Sequence, residues 1–133
     1  MIYELILSIV VSWLFVKIIK AVIDCSREKK VSLKALFYDG GMPSAHTASV
    51  VSLAIGLFLE TGLSVLFVMG VVFALVVIND ALKVRWVTQE QSKALNKLVK
   101  EKRFDEHIGH KPVEVIVGIV LGIIIPIIIY ALF

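Results

Sequence analysis

Two histidines stand in short sequence motifs whose neighbouring residues could bind an anion or orient a catalytic side chain. His46 ends the string 41–46, which reads Gly-Met-Pro-Ser-Ala-His, and His110 is followed four residues later by Glu114. Pro43 suits the first turn of a helix, and the free backbone N–H groups of a helix start attract anions such as phosphate. A carboxylate four residues after a histidine shares its helical face and can orient the ring. The two strings therefore pair an anion-attracting helix start with an oriented histidine.

Three cations complete this set. Lys20, Arg27 and Arg85 each stand near the end of an apolar run. Cations and N–H donors bind a tetrahedral oxyanion, and two histidines allow one to attack while the other protonates a leaving group. An unpaired carboxylate near the membrane is costly in free energy, so we expect Asp80 to pair with Arg85 or Lys83. In that role Asp80 would position its partner and would not take part in catalysis. These residue types together indicate metal-free phosphoryl transfer through a covalent phosphohistidine.

The composition places these residues in a membrane. The chain has 133 residues, 59% hydrophobic and 19% charged, which is too apolar for an ordinary soluble domain and fits a single membrane domain over residues 1–133. The net charge of +3 is too small to indicate a nucleic-acid partner. Four apolar runs predict an all-α bundle of about four transmembrane helices. These runs are 2–23, 45–59 (short for a span), 63–82 and 113–133.

The basic residues lie on one side of the predicted bundle. Nearly all of the 14 Lys and Arg residues fall in the connections 24–42 and 83–111. Within the second connection, the pattern over 88–109 indicates an amphipathic helix on the membrane surface or against the bundle. The positive-inside rule puts both connections in the cytoplasm and both termini outside. The residues named above then lie together at the cytoplasmic face, as one active site requires.

Gly118 and Gly122 form a G-x-x-x-G face in the fourth apolar run. Such a face lets two helix backbones approach closely, either within the bundle or between two copies of the chain in a homo-oligomer. The sequence leaves both alternatives open.

Several of these strings resemble the motifs of a known family, the type 2 phosphatidic acid phosphatases. The string 43–46, Pro-Ser-Ala-His, is similar to the Pro-Ser-Gly-His motif of that family. Lys20 and Arg27 have the spacing of the first motif, Lys, six residues, Arg, although the Pro that follows is replaced by Glu. His110 and Glu114 keep the His-x-x-x-carboxylate spacing of the third motif, with Glu in place of Asp.

The resemblance is to a small divergent branch of that family and covers about residues 15–125. It rests on the strings Gly-Gly-Met-Pro-Ser-Ala-His (residues 40–46), Asn-Asp-Ala-x-x-Val-Arg, Leu-Asn-Lys-Leu and Gly-His-x-Pro-x-Glu-Val. In the family's third motif the arginine stands shortly before the histidine. Here the matching Arg85 is separated from His110 by the insertion 86–109.

The resemblance implies a membrane-embedded phosphatase that acts on a lipid phosphate or diphosphate without a cofactor or metal. His110 would be the nucleophile and Glu114 its orienting partner. His46 would be the general acid for the leaving alcohol and then the base for water. The phosphate oxygens would be held by Lys20, Arg27, Arg85 and the backbone N–H groups of Gly41 and Ser44. A cytoplasmic site would favour lipids made on that leaflet, such as phosphatidylglycerophosphate or a phosphatidate.

Other interpretations of the same residues remain open. The superfamily also includes vanadium haloperoxidases, so vanadate-dependent halide oxidation is an alternative chemistry for the pocket. A non-enzymatic oligomeric membrane protein that binds anionic lipid or phosphate is another. His107, His110 and Glu114 also have a spacing that metal ligands can adopt.

Overall fold

The structure, a computed structural model, describes residues 2–28, 41–100, 102–106 and 108–133. His107 lies outside the described residues, as does the side chain of Arg27. The described residues form helices and no strand. The helices, in chain order, are α1 (Ile2–Glu28), α2 (Ala45–Thr61), α3 (Val65–Asn79), α4 (Arg85–Val99) and α5 (Pro112–Leu132). The prediction of an all-α membrane bundle is thus confirmed.

Three helical stretches are long and apolar enough to cross a membrane: Ile2–Ile23, Val65–Val99 and Pro112–Leu132. The remaining apolar helix, α2, has only 17 residues, which corresponds to about 25 Å of length. Its sequence is bounded by a Ser44 cap at the start and by Gly62, with φ of 64°, at the end. The short length follows from these two stop signals, since both lie at the ends of the apolar run.

The short helix α2 is nevertheless the centre of the bundle, because it packs against α1, α3 and α5. The buried core joins Val16 of α1 to Ala45 and Ala48 of α2, with Leu121 of α5 packed against them. Small residues on α2 let the neighbouring backbones come close, which is how helices associate where lipid removes the hydrophobic driving force.

The glycine pair of α5 packs inside the chain. A Cβ on Gly118 would lie 2.7 Å from the carbonyl oxygen of Ser44, and one on Gly122 would lie 2.7 Å from that of Ala48. Both glycines are buried in this contact with α2. Of the two alternatives for the G-x-x-x-G face, the structure therefore contains packing within the bundle.

The amphipathic helix predicted between the third and fourth apolar helices is confirmed as α4, although its bounds differ from 88–109. It starts at Arg85 and continues α3 without a break, through a π-helical turn at Asp80–Val84. It ends at Val99, where Lys100 takes a left-handed conformation with φ of 56°. The described residues after Lys100 return to the start of α5 without helix.

A single added carbon tests the α2–α5 contact. Gly122→Ala places a methyl 2.8 Å from Val51 Cβ and 2.7 Å from a backbone oxygen, so we expect a loss of about 1–3 kcal/mol through overpacking. Thermal unfolding in detergent measures this as a midpoint several degrees lower. The matched control, Val120→Ile, adds one carbon to an exposed face of α5 and leaves the midpoint unchanged. Equal midpoints for both variants would contradict the packing described here.

Candidate functional site

His110 and Glu114 are in contact at the start of α5. His110 Nδ1 lies 3.1 Å from Glu114 Oε2, and the same oxygen accepts the backbone N–H of Lys111 at 3.0 Å. Lys111 is the N-cap residue and Pro112 begins the helix, so His110 stands just outside it. The sequence-based argument placed both side chains on one helical face. The contact instead forms because Glu114 folds back to the cap, as in a capping box.

The other ring nitrogen of His110 is placed differently. His110 is only 2% exposed, and its Nε2 is buried with no hydrogen-bond partner among the described residues. When Nδ1 carries the proton and donates it to Glu114, Nε2 holds the free lone pair. A buried polar atom without a partner costs about 1–3 kcal/mol and calls for an explanation such as a ligand or a reaction.

The start of α2 is joined directly to this corner. The Ser44 N–H donates to the backbone carbonyl of Glu114 at 3.1 Å. The Ser44 side chain is fully buried and caps α2 by accepting the Thr47 N–H at 3.4 Å. The Ser44 N–H, which was predicted to bind phosphate, is therefore already engaged by the Glu114 carbonyl in this structure. His46, half-buried in the first turn of α2, lies at the same end of the bundle as His110.

Lys20 reaches the site from α1. It is only 3% exposed, so its side chain is enclosed by the protein. Gly41 has φ of 96°, and a Cβ built on it would lie 3.4 Å from Lys20 Cε and 4.0 Å from Nζ. The lysine thus packs against the backbone of Gly41, a position where the left-handed φ favours glycine.

The backbone of Arg85 is brought next to Gly109, the residue before His110, despite the long insertion between them. Its Nε donates to Asp80 Oδ2 at 2.8 Å, the pairing expected for Asp80. Side chains five residues apart point about 140° away from each other on an α-helix. The wider π-helical turn reduces that offset, and the Arg85 N–H donates to the Asp80 carbonyl. Gly109 then packs on this turn, since a Cβ there would lie 3.3 Å from Arg85 O and 2.9 Å from Trp86 Cα.

Two side-chain amides of α4 hold in place the segment that returns to α5, whose described residues are 102–106 and 108–110. We call it the returning segment. Asn96, which is 6% exposed, accepts the N–H groups of Arg103 and Phe104 and donates to Phe104 O and Glu106 Oε1. Gln89 Oε1 accepts the Gly109 N–H at 3.1 Å. The insertion is therefore folded back on itself, and it delivers Gly109 and His110 to the bundle.

A cleft of about 420 Å³ opens beside His110. Three predicted site residues line it, namely Gly41, His110 and Glu114. Lys20 packs against Gly41, while Arg85 and His46 are not among the residues that line the cleft. The remaining lining residues were not identified from the sequence: Trp86, Gln89, Glu90, Lys93, Glu106, Gly109 and Lys111. The signal for them was the Leu-Asn-Lys-Leu string, whose Asn96 anchors the segment that carries Glu106.

Among the described residues, no three His, Cys, Asp or Glu side chains are grouped as metal ligands. The alternative ligand set that included His107 falls outside that part of the chain.

Removing Asn96 tests whether it holds the returning segment. Asn96→Ala deletes four hydrogen bonds, so we expect the amides of Arg103 and Phe104 to exchange with deuterium about tenfold faster or more. Hydrogen exchange read by mass spectrometry in detergent measures this. Lys97→Ala, at an exposed neighbouring position, is the control and leaves the exchange unchanged. Equal exchange in both variants would show that the segment is held by other contacts.

Comparison with known proteins agrees with the motifs. The family model described as "Divergent PAP2 family" matches residues 3–125. The chain is 34% identical to a Bacillus subtilis (strain 168) protein named "Uncharacterized membrane protein YuiD", over 90% of this chain and 89% of that protein. No solved structure matches it. With the family model covering nearly the whole bundle and the His110–Glu114 corner, the chain belongs to the divergent PAP2 family.

Proposed function

We propose that this chain is a membrane-embedded lipid phosphate phosphatase that works through a phosphohistidine on His110, without a metal. The observation that carries the proposal is the state of the His110 ring. One nitrogen is fixed by Glu114 and the other is a buried nitrogen with no partner among the described residues. A ring oriented by a carboxylate at one nitrogen, with an unshared lone pair at the other, is the arrangement of a histidine nucleophile.

In the first step, Nε2 of His110 attacks the phosphorus atom and the bond from phosphorus to the lipid oxygen breaks. His46 gives its proton to that oxygen, so the lipid leaves as an alcohol. Glu114 stabilises the positive charge that develops on the ring of His110 through the contact at Nδ1. Because Nε2 is covered in this structure, side chains of the cleft move aside when the phosphate binds.

In the second step, His46 takes a proton from water and the water oxygen attacks the phosphorus. The bond between phosphorus and Nε2 breaks, inorganic phosphate leaves, and His110 recovers its lone pair. The same residue acts as acid and then as base, as reversible proton transfer requires.

The charge of the phosphate is balanced by Lys20 and Arg85, with Arg27 as a third cation and the Gly41 N–H as a donor. Lys20 is a buried cation next to Gly41. Arg85 is oriented by Asp80, which fixes the guanidinium without reaching the substrate itself. Preorganised cations in a site that excludes water stabilise a developing oxyanion strongly.

Activity against lipid phosphates tests the nucleophile. In detergent without divalent metal, we expect wild-type protein to release phosphate and His110→Ala to fall to background, a loss of about a thousandfold or more. His107→Ala, which removes the neighbouring histidine, is the matched control and keeps the activity. A metal chelator leaves the wild-type rate unchanged.

Two outcomes contradict the proposal in different ways. Full turnover in His110→Ala removes the nucleophile assignment, and loss of wild-type activity on chelation removes the metal-free mechanism. Tight binding of phosphate analogues with no turnover of any lipid phosphate would instead favour a non-enzymatic anion-binding protein.

We place the site at the cytoplasmic face of the cell membrane, with both termini outside, because the basic residues concentrate at that end of the bundle. A site at this depth meets phosphate headgroups while the lipid tails stay in the hydrocarbon region.

Cysteine labelling tests this orientation. In a Cys25→Ser background, Lys97→Cys lies on α4 and Leu63→Cys lies in the turn between α2 and α3, and both positions are exposed. We expect a membrane-impermeant maleimide to label Leu63→Cys in intact cells and Lys97→Cys only after permeabilisation. The reverse pattern would place the site on the outer face and would overturn the assigned leaflet.

A further inference from the structure

The insertion 86–109 forms one wall of the cleft beside His110, and this wall is polar. Gln89, Glu90 and Lys93 of α4 and Glu106 of the returning segment line it, and Trp86 is the one large apolar side chain among the cleft residues. Contact between a hydrocarbon chain and these charged side chains would be unfavourable in free energy, because it would remove water from the charges. The part of a substrate that occupies this wall is therefore polar.

Two carboxylates of this wall differ in what they can offer a substrate. Glu90 Oε1 accepts Lys93 Nζ at 2.7 Å, so its charge is matched by an ion pair. Glu106 Oε1 accepts the neutral amide of Asn96 at 2.7 Å, which positions the carboxylate without neutralising it. A carboxylate has two oxygens and about four acceptor sites. Glu106 thus keeps acceptor capacity on its second oxygen beside the phosphate site.

We propose that Glu106 determines the substrate specificity of the phosphatase reaction. Its carboxylate accepts a hydrogen bond from a free hydroxyl on the alcohol that carries the phosphate. The enzyme is then selective for lipids with a phosphorylated polyol headgroup, such as phosphorylated glycerol. This assignment rests on the function proposed above and makes Asn96 a positioning residue for Glu106.

The charge of Glu106 argues against the other lipid classes. A prenyl alcohol or a diacylglycerol has no free hydroxyl next to its phosphate ester, so it leaves the acceptor without a donor. In a diphosphate the second anion is bonded directly to the first, next to the carboxylate, and like charges at short distance repel. In phosphatidylglycerophosphate the headgroup glycerol separates the two phosphates. A hydroxyl donor instead forms a charge-assisted hydrogen bond, which is about twice as strong as a neutral one.

The experiment compares two synthetic lipids that differ by one hydroxyl. One is phosphatidylglycerophosphate, and the other is the same lipid with propane-1,3-diol in place of the headgroup glycerol. Phosphate release gives kcat/KM for each in wild-type protein, Glu106→Gln and Glu90→Gln. In Glu106→Gln the amide oxygen can still accept from Asn96, while an NH2 donor replaces the second acceptor oxygen.

We expect wild-type protein to prefer the glycerol lipid by about ten- to a hundredfold, the usual worth of a hydrogen bond to a charged group. The ratio falls toward one in Glu106→Gln and keeps its wild-type value in Glu90→Gln. A change in this ratio separates recognition from a structural effect, because misplacing the segment lowers both rates together.

The failures are distinguishable. Release by wild-type protein from neither these two lipids nor any other lipid phosphate refutes the phosphatase function itself. Release from other lipid phosphates but from neither of these two refutes the role of Glu106 alone. Release with equal kcat/KM for the two lipids, or a preference that persists in Glu106→Gln, refutes the role of Glu106 alone. Where Glu106→Gln does not fold, Glu106→Asp decides, since it keeps the charge but withdraws the carboxylate by one methylene. A reduced ratio in that variant supports the proposal, and an unchanged ratio overturns it.

Discussion

One glutamate holds the corner on which the bundle and the site both depend. The carboxylate of Glu114 accepts from the N-cap Lys111 and lies against His110, while its backbone carbonyl accepts from Ser44. The side chain therefore fixes the start of α5 and the orientation of the histidine, and the main chain fixes the start of α2. Loss of the carboxylate would free the cap and the ring at the same time, so structure and chemistry are coupled at one residue.

Three of the apolar helices, α1, α2 and α5, carry predicted site residues at this end of the bundle: Lys20, His46 and Glu114. The bundle is possible because α2 is short and lined with small residues, so that α1, α3 and α5 all reach it. The π-helical turn lets Arg85 pair with Asp80, and the folded insertion returns the chain beside them. An insertion of this length would separate two motif residues on an open chain. Here Asn96 and Gln89 fold it back, and the insertion becomes the outer wall of the cleft.

Hydropathy was enough to predict the helical bundle and the amphipathic helix, because it is a local property of the chain. The motif strings contained three of the residues that line the cleft, namely Gly41, His110 and Glu114. The rest depends on contacts between distant segments. That the Ser44 N–H is used by Glu114 could not be known without the α2–α5 packing. The contact of His110 with Glu114 was expected, but its cause, a cap outside the helix, depends on backbone geometry that spacing alone does not reveal. Glu106 stands in no motif string itself, and its one signal in the sequence was indirect, through Asn96 of the Leu-Asn-Lys-Leu string.

The central claim is that His110 becomes phosphorylated during turnover. The most direct test mixes protein with a lipid whose phosphate is radiolabelled, stops the reaction in alkaline detergent, and locates the label by mass spectrometry. His46→Ala is included, because removal of the base for the second step should let the intermediate accumulate. We expect an acid-labile phosphoryl group on His110, at a higher level in this variant. Phosphate release by the wild-type protein with no label on His110 in either protein would contradict the mechanism.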